Sequence, residues 1–199
     1  MKVKNWMTRN IITVTPDTSL MQAIELMRTN SIRHLPVAQE REIYGLVTES
    51  NLRQYFLSEI LPELKVSDVM IMNPITIDAN ATLDAAARLI YKYKIGGLPV
   101  LEKRKLVGII TNTDIVAAFI EFLGLLDKSA RLDVMIAENG TLEDVLRIIR
   151  ELGGKIISVV ADAQATRKRV HCIRLERCEL DKIIEALEKQ NHKVLSILE

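Results

Sequence analysis

A chain of 199 residues with net charge +1, 48% hydrophobic and 27% charged, reads as a folded, soluble protein with one or two cores. The small net charge excludes a general pull toward nucleic acid or anionic membrane. Aromatic residues make up only 4%, so the core must be aliphatic, and Cys172 and Cys178 with His171 have no zinc-like spacing.

The N-terminal stretch M-K-V-K-N-W-M has no apolar signal core, and the longest apolar run, 115–126, is broken by Glu121 and too short for a bilayer. The expectation is a cytoplasmic protein with no membrane insertion.

In chain order, an extended run at 11–15 is followed by Ser19-x-x-Gln22, a helix-capping box. Leu20, Ala23, Ile24 and Met27 then mark one helix face. A short strand around Leu35-Pro36-Val37 leads through a charged hairpin to a β-rich run at 43–47. Thr48-x-x-Asn51 closes that strand and opens a second helix. At an offset of 63 the pattern returns: residues 3–56 align with 66–119 without a gap. Met7/Met70, Thr13/Thr76, Leu35/Leu98, Pro36/Pro99, Gly45/Gly108 and Thr48/Thr111 are among the identical pairs. The second copy runs through 75–78, a Thr82 cap, and Leu83, Ala86, Ala87 and Ile90. Leu98-Pro99-Val100, the hairpin Lys103-Arg104-Lys105 and Thr111-x-x-Asp114 complete it. Each copy is β-α-β-β-α, and two copies imply units that bury their faces on each other.

After 127–129 the repeat is gone. A strand at 130–137 and a turn at Asn139-Gly140 come first. Leu142, Val145, Leu146, Ile149 and Leu152 then mark a helix that stops at Gly153-Gly154. Strands at 155–161 and 170–175 flank a basic hairpin, Arg167-Lys168-Arg169. A helix carrying Leu180, Ile183, Ile184 and Leu187 and a last strand at 193–198 follow. The order βαββαβ is the ferredoxin-like split arrangement, and the fold class is α+β.

Thr111 ends a strand and begins a helix, where outward-pointing amides and the helix dipole favour an anion. Asp114, one turn on, accepts from two neighbouring hydroxyls such as a ribose diol presents. The same spacing is also a ligand-free capping box, and Thr141-Leu142-Glu143-Asp144 fits it in the third segment. Asn51 offers an NH2 where the second hydroxyl needs an acceptor. Its copy carries Arg33, His34 and Arg53 where the other has Gly96, Gly97 and Val116, so the cations could hold phosphates. The two sites are expected to be unequal: a stronger one at Asp114 and a weaker or anion-selective one at Asn51. No catalytic constellation is present: His34, His171 and His192 are scattered, and no serine or cysteine has an activating neighbour.

The duplication, I-R-H-L-P-V, I-G-G-L-P-V and G-I-I-T-N-T-D-I together resemble a tandem pair of CBS domains (1–62 and 63–126). The βαββαβ order with E-N-G-T-L and I-I-R-E-L-G-G-K-I is similar to an ACT domain (127–199). The combination resembles the acetoin-utilisation B-type proteins. The CBS resemblance implies a Bateman module binding an adenine nucleotide (AMP, ADP or ATP), with Thr111, Asp114, Ile95, Gly96, Gly97, Pro99 and Thr76 as its site. The second site would comprise Thr48, Asn51, Arg33, His34, Pro36 and Arg53. The ACT resemblance implies a ligand loop at Asn139, Gly140 and Thr141, although Asn139 replaces the proline common in amino-acid-binding members. These resemblances imply a regulatory protein, not an enzyme, with no required cofactor or metal. Its ACT domain would mediate dimerisation or metabolite sensing, in a homodimer or larger assembly that acts on an unknown client. The alternatives are a ligand-free scaffold or a sensor of S-adenosylmethionine or a cyclic dinucleotide. Apolar positions on the second copy's last helix (Ala117, Phe119, Ile120, Leu123) call for cover by a partner.

Overall fold

The computed structural model describes residues 1–55, 61–126, 128–162 and 169–198. The chain divides into two compact units, Met1–Val116 and Ala117–Glu199.

In the first unit α1 (Leu20–Thr29) buries Leu20, Ala23 and Met27, the positions one helical face selects. Ser19 accepts from the Gln22 amide, which supplies half of the expected box. β1 (His34–Gln39) and β2 (Glu42–Thr48) form an antiparallel hairpin, and α2 (Glu49–Leu52) follows β2 directly. The second copy begins with α3 (Val66–Val69) and β3 (Ile71–Met72). β4 (Ile77–Asp78) precedes α4 (Leu83–Tyr93), which buries Leu83, Ala86 and Ile90 behind a Thr82 cap. The hairpin β5 (Gly97–Glu102) and β6 (Lys105–Thr111) then runs into α5 (Asn112–Phe122), which crosses the division between the units. The expected strand at 11–15 is reduced to one bridge, Val14 to Val37, whereas its counterpart forms the β4–β5 pairing.

Two features of this unit were not foreseen. First, both hairpins turn on residues with positive φ: Glu40 and Arg41, Lys103 and Arg104. That conformation matches the twist of two-residue hairpins, and glycine or asparagine usually supplies it. Second, the copies exchange their leading segments. β3 of the second copy pairs with β2 of the first, and Thr8 of the first bridges Ile109 of the second. Met70 packs on Gly45 and Met7 on Gly108; a Cβ there would lie 2.7 and 2.6 Å from the respective sulfurs. The repeated Met and Gly pairs in the sequence therefore record one close approach built twice.

In the second unit β7 (Ser129–Met135), α6 (Leu142–Glu151), β8 (Ile156–Ala161), β9 (Val170–Glu176), α7 (Asp181–Lys189) and β10 (Lys193–Leu198) follow the order expected from the sequence. They form one antiparallel sheet in the order β10-β7-β9-β8. Leu132, Val134, Ile149, Ile173, Leu175 and Leu187 centre its aliphatic core. α6 ends where expected, with Gly153 at φ 86° and Gly154 N–H donating to the Ile149 carbonyl. Arg167 and Lys168 lie outside the described residues. Among the described residues no helix is long and apolar enough to cross a membrane.

Candidate functional site

In the first unit both strand-to-helix junctions open onto one cleft of about 670 Å³. β2 delivers Thr48 and β6 delivers Thr111, opposite His34 and Gly97 in the strand registers. Asp114 Oδ2 accepts from the Thr111 backbone N–H at 2.7 Å and from its hydroxyl at 2.8 Å. Asn51 Oδ1 takes the equivalent bonds from Thr48 at 2.6 and 2.8 Å. Asp144 does the same for Thr141 in the second unit, at 3.0 and 2.6 Å. The shared geometry is that of a helix cap. What separates the junctions is the atom left over.

Asn51 spends its remaining group inside the protein: Nδ2 donates to the Val69 carbonyl at 2.8 Å. Asn51 is not among the residues lining the cleft, whereas Asp114 is. Both of Asp114's bonds to Thr111 fall on Oδ2, which leaves Oδ1 outside them. The expectation of outward, unpaired first-turn amides needs correcting in both helices; in α2 Asn51 N–H donates to Thr48 Oγ1 at 3.3 Å, and the first amide of each helix is paired as well. Glu49 N–H donates to the Arg33 carbonyl at 2.9 Å and Asn112 N–H to the Gly96 carbonyl at 3.0 Å. These bonds clip the residue ahead of each L-P-V strand to the neighbouring helix start.

Ile95, Gly96, Gly97, Thr111 and Asp114 line the cleft together, and so do Thr48, Arg33, His34 and Arg53 from the other copy. Pro99 and Pro36 are buried within β5 and β1, and Thr76 is half-buried just before β4; none of the three lines the cleft. Lys94, Glu49 and Asn112 line it without having been singled out in the sequence. Lys94 adopts the same left-handed backbone, φ 52°, as its first-copy counterpart Ser31, and no sequence signal marked either residue for the cleft. Three cations (Arg33, Arg53, Lys94) thus share the cleft with the carboxylates of Glu49 and Asp114. His34 is half-buried; burial, and to a lesser degree the Arg33 charge, holds its imidazole below the usual histidine range.

The second unit has its own cavity of about 950 Å³, lined by Asn139, Gly140, Asp144, Arg169 and His192 among others. Thr141 caps α6 and is not among its lining residues. His192 is 3% exposed, and its Nδ1 accepts from the Ala137 N–H at 3.2 Å. Burial holds this imidazole low, against the opposing pull of Asp144.

The chain belongs to the CBS domain family, whose model matches residues 3–58 and 66–121. It is 34% identical over 134 residues to a CBS domain-containing protein of Dictyostelium discoideum, covering 61% of this chain and 92% of that one. It is also 33% identical over 134 residues to an inosine-5'-monophosphate dehydrogenase of Korarchaeum cryptofilum. That match covers 67% of this chain but spans only 27% of the enzyme. A protein from Vibrio cholerae assigned to acetoin utilization (AcuB) shares 33% identity and a TM-score of 0.57, over 64% of this chain and 96% of that one. The CBS domain pair of protein MJ0100, solved with 5'-methylthioadenosine and S-adenosyl-L-methionine, shares 28% identity (TM-score 0.55; 60% and 95% covered). CBSX2, solved with AMP, shares 30% identity (TM-score 0.55; 60% and 96% covered).

Proposed function

We propose that this protein is a non-enzymatic, cytoplasmic regulatory module that binds one adenine nucleotide of the AMP, ADP or ATP class in the cleft of its first unit. The observation that carries the reading is the joint placement of Asp114 and the cations Arg33, Arg53 and Lys94 on one cleft. A carboxylate oxygen not engaged by Thr111 suits a ribose diol, and the cations suit phosphates. The adenosine ligands of the two solved relatives support the same chemistry. Asn51, whose Oδ1 accepts twice from Thr48 and whose Nδ2 donates to the Val69 carbonyl, argues for one ribose site per chain in place of two. The second unit is read as an ACT domain that pairs two chains or senses a metabolite; its strand order supports that assignment.

Calorimetric titration with AMP, ADP and ATP tests the reading. Binding at one nucleotide per chain is expected. Charged hydrogen bonds contribute roughly 1.5–3 kcal/mol, so Asp114→Ala should weaken binding about 10- to 150-fold. Equal affinity in wild type and variant would remove Asp114 from the site.

A further inference from the structure

The CBS resemblance implies that Gly96 and Gly97 belong to the nucleotide site, where glycines let a flat ring approach the backbone closely. A flat ring is already there, and it belongs to the protein. A Cβ built on Gly96 would lie 2.6 Å from His34 Nε2 and 2.8 Å from His34 Cε1; one built on Gly97 would lie 3.5 Å from His34 Cδ2. The imidazole therefore lies along the backbone of both glycines. It is contributed by the first copy, from the start of β1, and it fills the face of the second copy next to Thr111, the register partner of Gly97.

A side chain at position 96 would collide with this ring unless the imidazole moved, so the His34 packing accounts for a glycine there with or without a ligand. The imidazole has little to hold it in place beyond packing. Among the described residues no hydrogen bond holds the side chain, and it lines the cleft together with Arg33, Arg53 and Lys94. A planar base seated against Gly96 and Gly97 would need the volume the imidazole takes up, because two rings cannot share one van der Waals layer.

We propose that His34 is a specificity-determining gate: its imidazole occupies the place of the nucleobase in the Asp114 half of the cleft, and the base binds only when the ring swings out. This rests on the proposed nucleotide reading and adds a competitor built into the chain. The gate opposes base-bearing ligands and leaves the ribose and phosphate contacts alone. A closed ring lowers the apparent affinity by the fraction of molecules in the open state.

The test uses the full chain and its His34→Ala variant, titrated with adenosine, AMP and ribose 5-phosphate at pH 7.5. Truncating the ring should tighten adenosine and AMP at least threefold and leave ribose 5-phosphate unchanged or weaker. A loss of adenosine affinity in the variant would overturn the gate and make His34 a stacking platform instead. Equal adenosine and AMP affinities in both proteins would overturn the gate while the nucleotide reading stands. No binding of any probe to either protein would overturn both. A Gly96→Ala variant gives a second readout. Its Cβ should expel the ring and occupy part of the base site, weakening AMP without changing ribose 5-phosphate; unchanged AMP affinity would count against the ring's location.

Discussion

At Asn51 one amide does two structural jobs, accepting twice from Thr48 and donating to the Val69 carbonyl. Replacing it with aspartate would not restore a second ribose site. The new oxygen would face the Val69 carbonyl and lose a hydrogen bond, costing about 1–3 kcal/mol. Thermal unfolding of Asn51→Asp should show a lowered Tm, and its nucleotide stoichiometry should stay at one; two sites would contradict this. The glycines at the exchanged contacts differ in the same graded way. A Cβ at Gly108 would lie 2.9 Å from the Thr8 carbonyl as well as on Met7, whereas at Gly45 the nearest backbone atom is 3.1 Å away. A methionine can move aside more easily than a carbonyl, so Gly108→Ala should destabilise by about 1–3 kcal/mol and by more than Gly45→Ala. Denaturant midpoints of the two variants check that order. At this scale the sequence was informative about identity and poor about partners. Asp114 could be singled out from the repeat. The Val69 carbonyl that explains Asn51 is 18 residues away and carries no sequence signal. His34 and Gly96 were assigned to different sites, and no sequence signal shows that the ring of one packs on the backbone of the other.

The elements with strong periodicity were legible, and the ones without it were not. α1, α4, α6 and α7 follow the apolar 3–4 spacing, and the L-P-V strands follow their buried runs. The leading segments are one or two residues of pairing in otherwise irregular chain. No period distinguishes a strap that crosses to the other copy from one that stays on its own. The hairpins were expected to be charged turns, but nothing in Glu40-Arg41 or Lys103-Arg104 signals the left-handed backbone they adopt. Non-glycine residues there cost about 1–2 kcal/mol each. Substituting Asn-Gly for either pair should raise Tm and leave nucleotide affinity unchanged, as neither hairpin residue lines the cleft. A fall in Tm would refute the strain argument.

Of the three imidazoles, His34 in the first unit and His192 in the second are held below the usual histidine value of 6.5, chiefly by burial. With folded pKa values below the unfolded ones, protons bind the unfolded chain more tightly. Stability is full above about pH 6.5 and falls as the pH drops from there toward the lowered folded values. Unfolding between pH 7.5 and 5.5 should show this slope, and a His34→Ala, His192→Asn double variant should flatten it. Phe122, in α5, and Leu126, just after it, are 63% and 85% exposed; if copies of the chain cover them, light scattering at micromolar concentration should find a dimer or larger, and a monomer would contradict that expectation. The duplication and the βαββαβ order, legible as whole patterns, define this scale; the proposed nucleotide reading turns on a few atoms at one junction. The most direct test therefore compares two aspartates with the same capping geometry. AMP binding should be lost or weakened at least tenfold in Asp114→Ala and unchanged in Asp144→Ala. Equal effects in the two variants, or none in either, would contradict the claim that Asp114 holds a nucleotide.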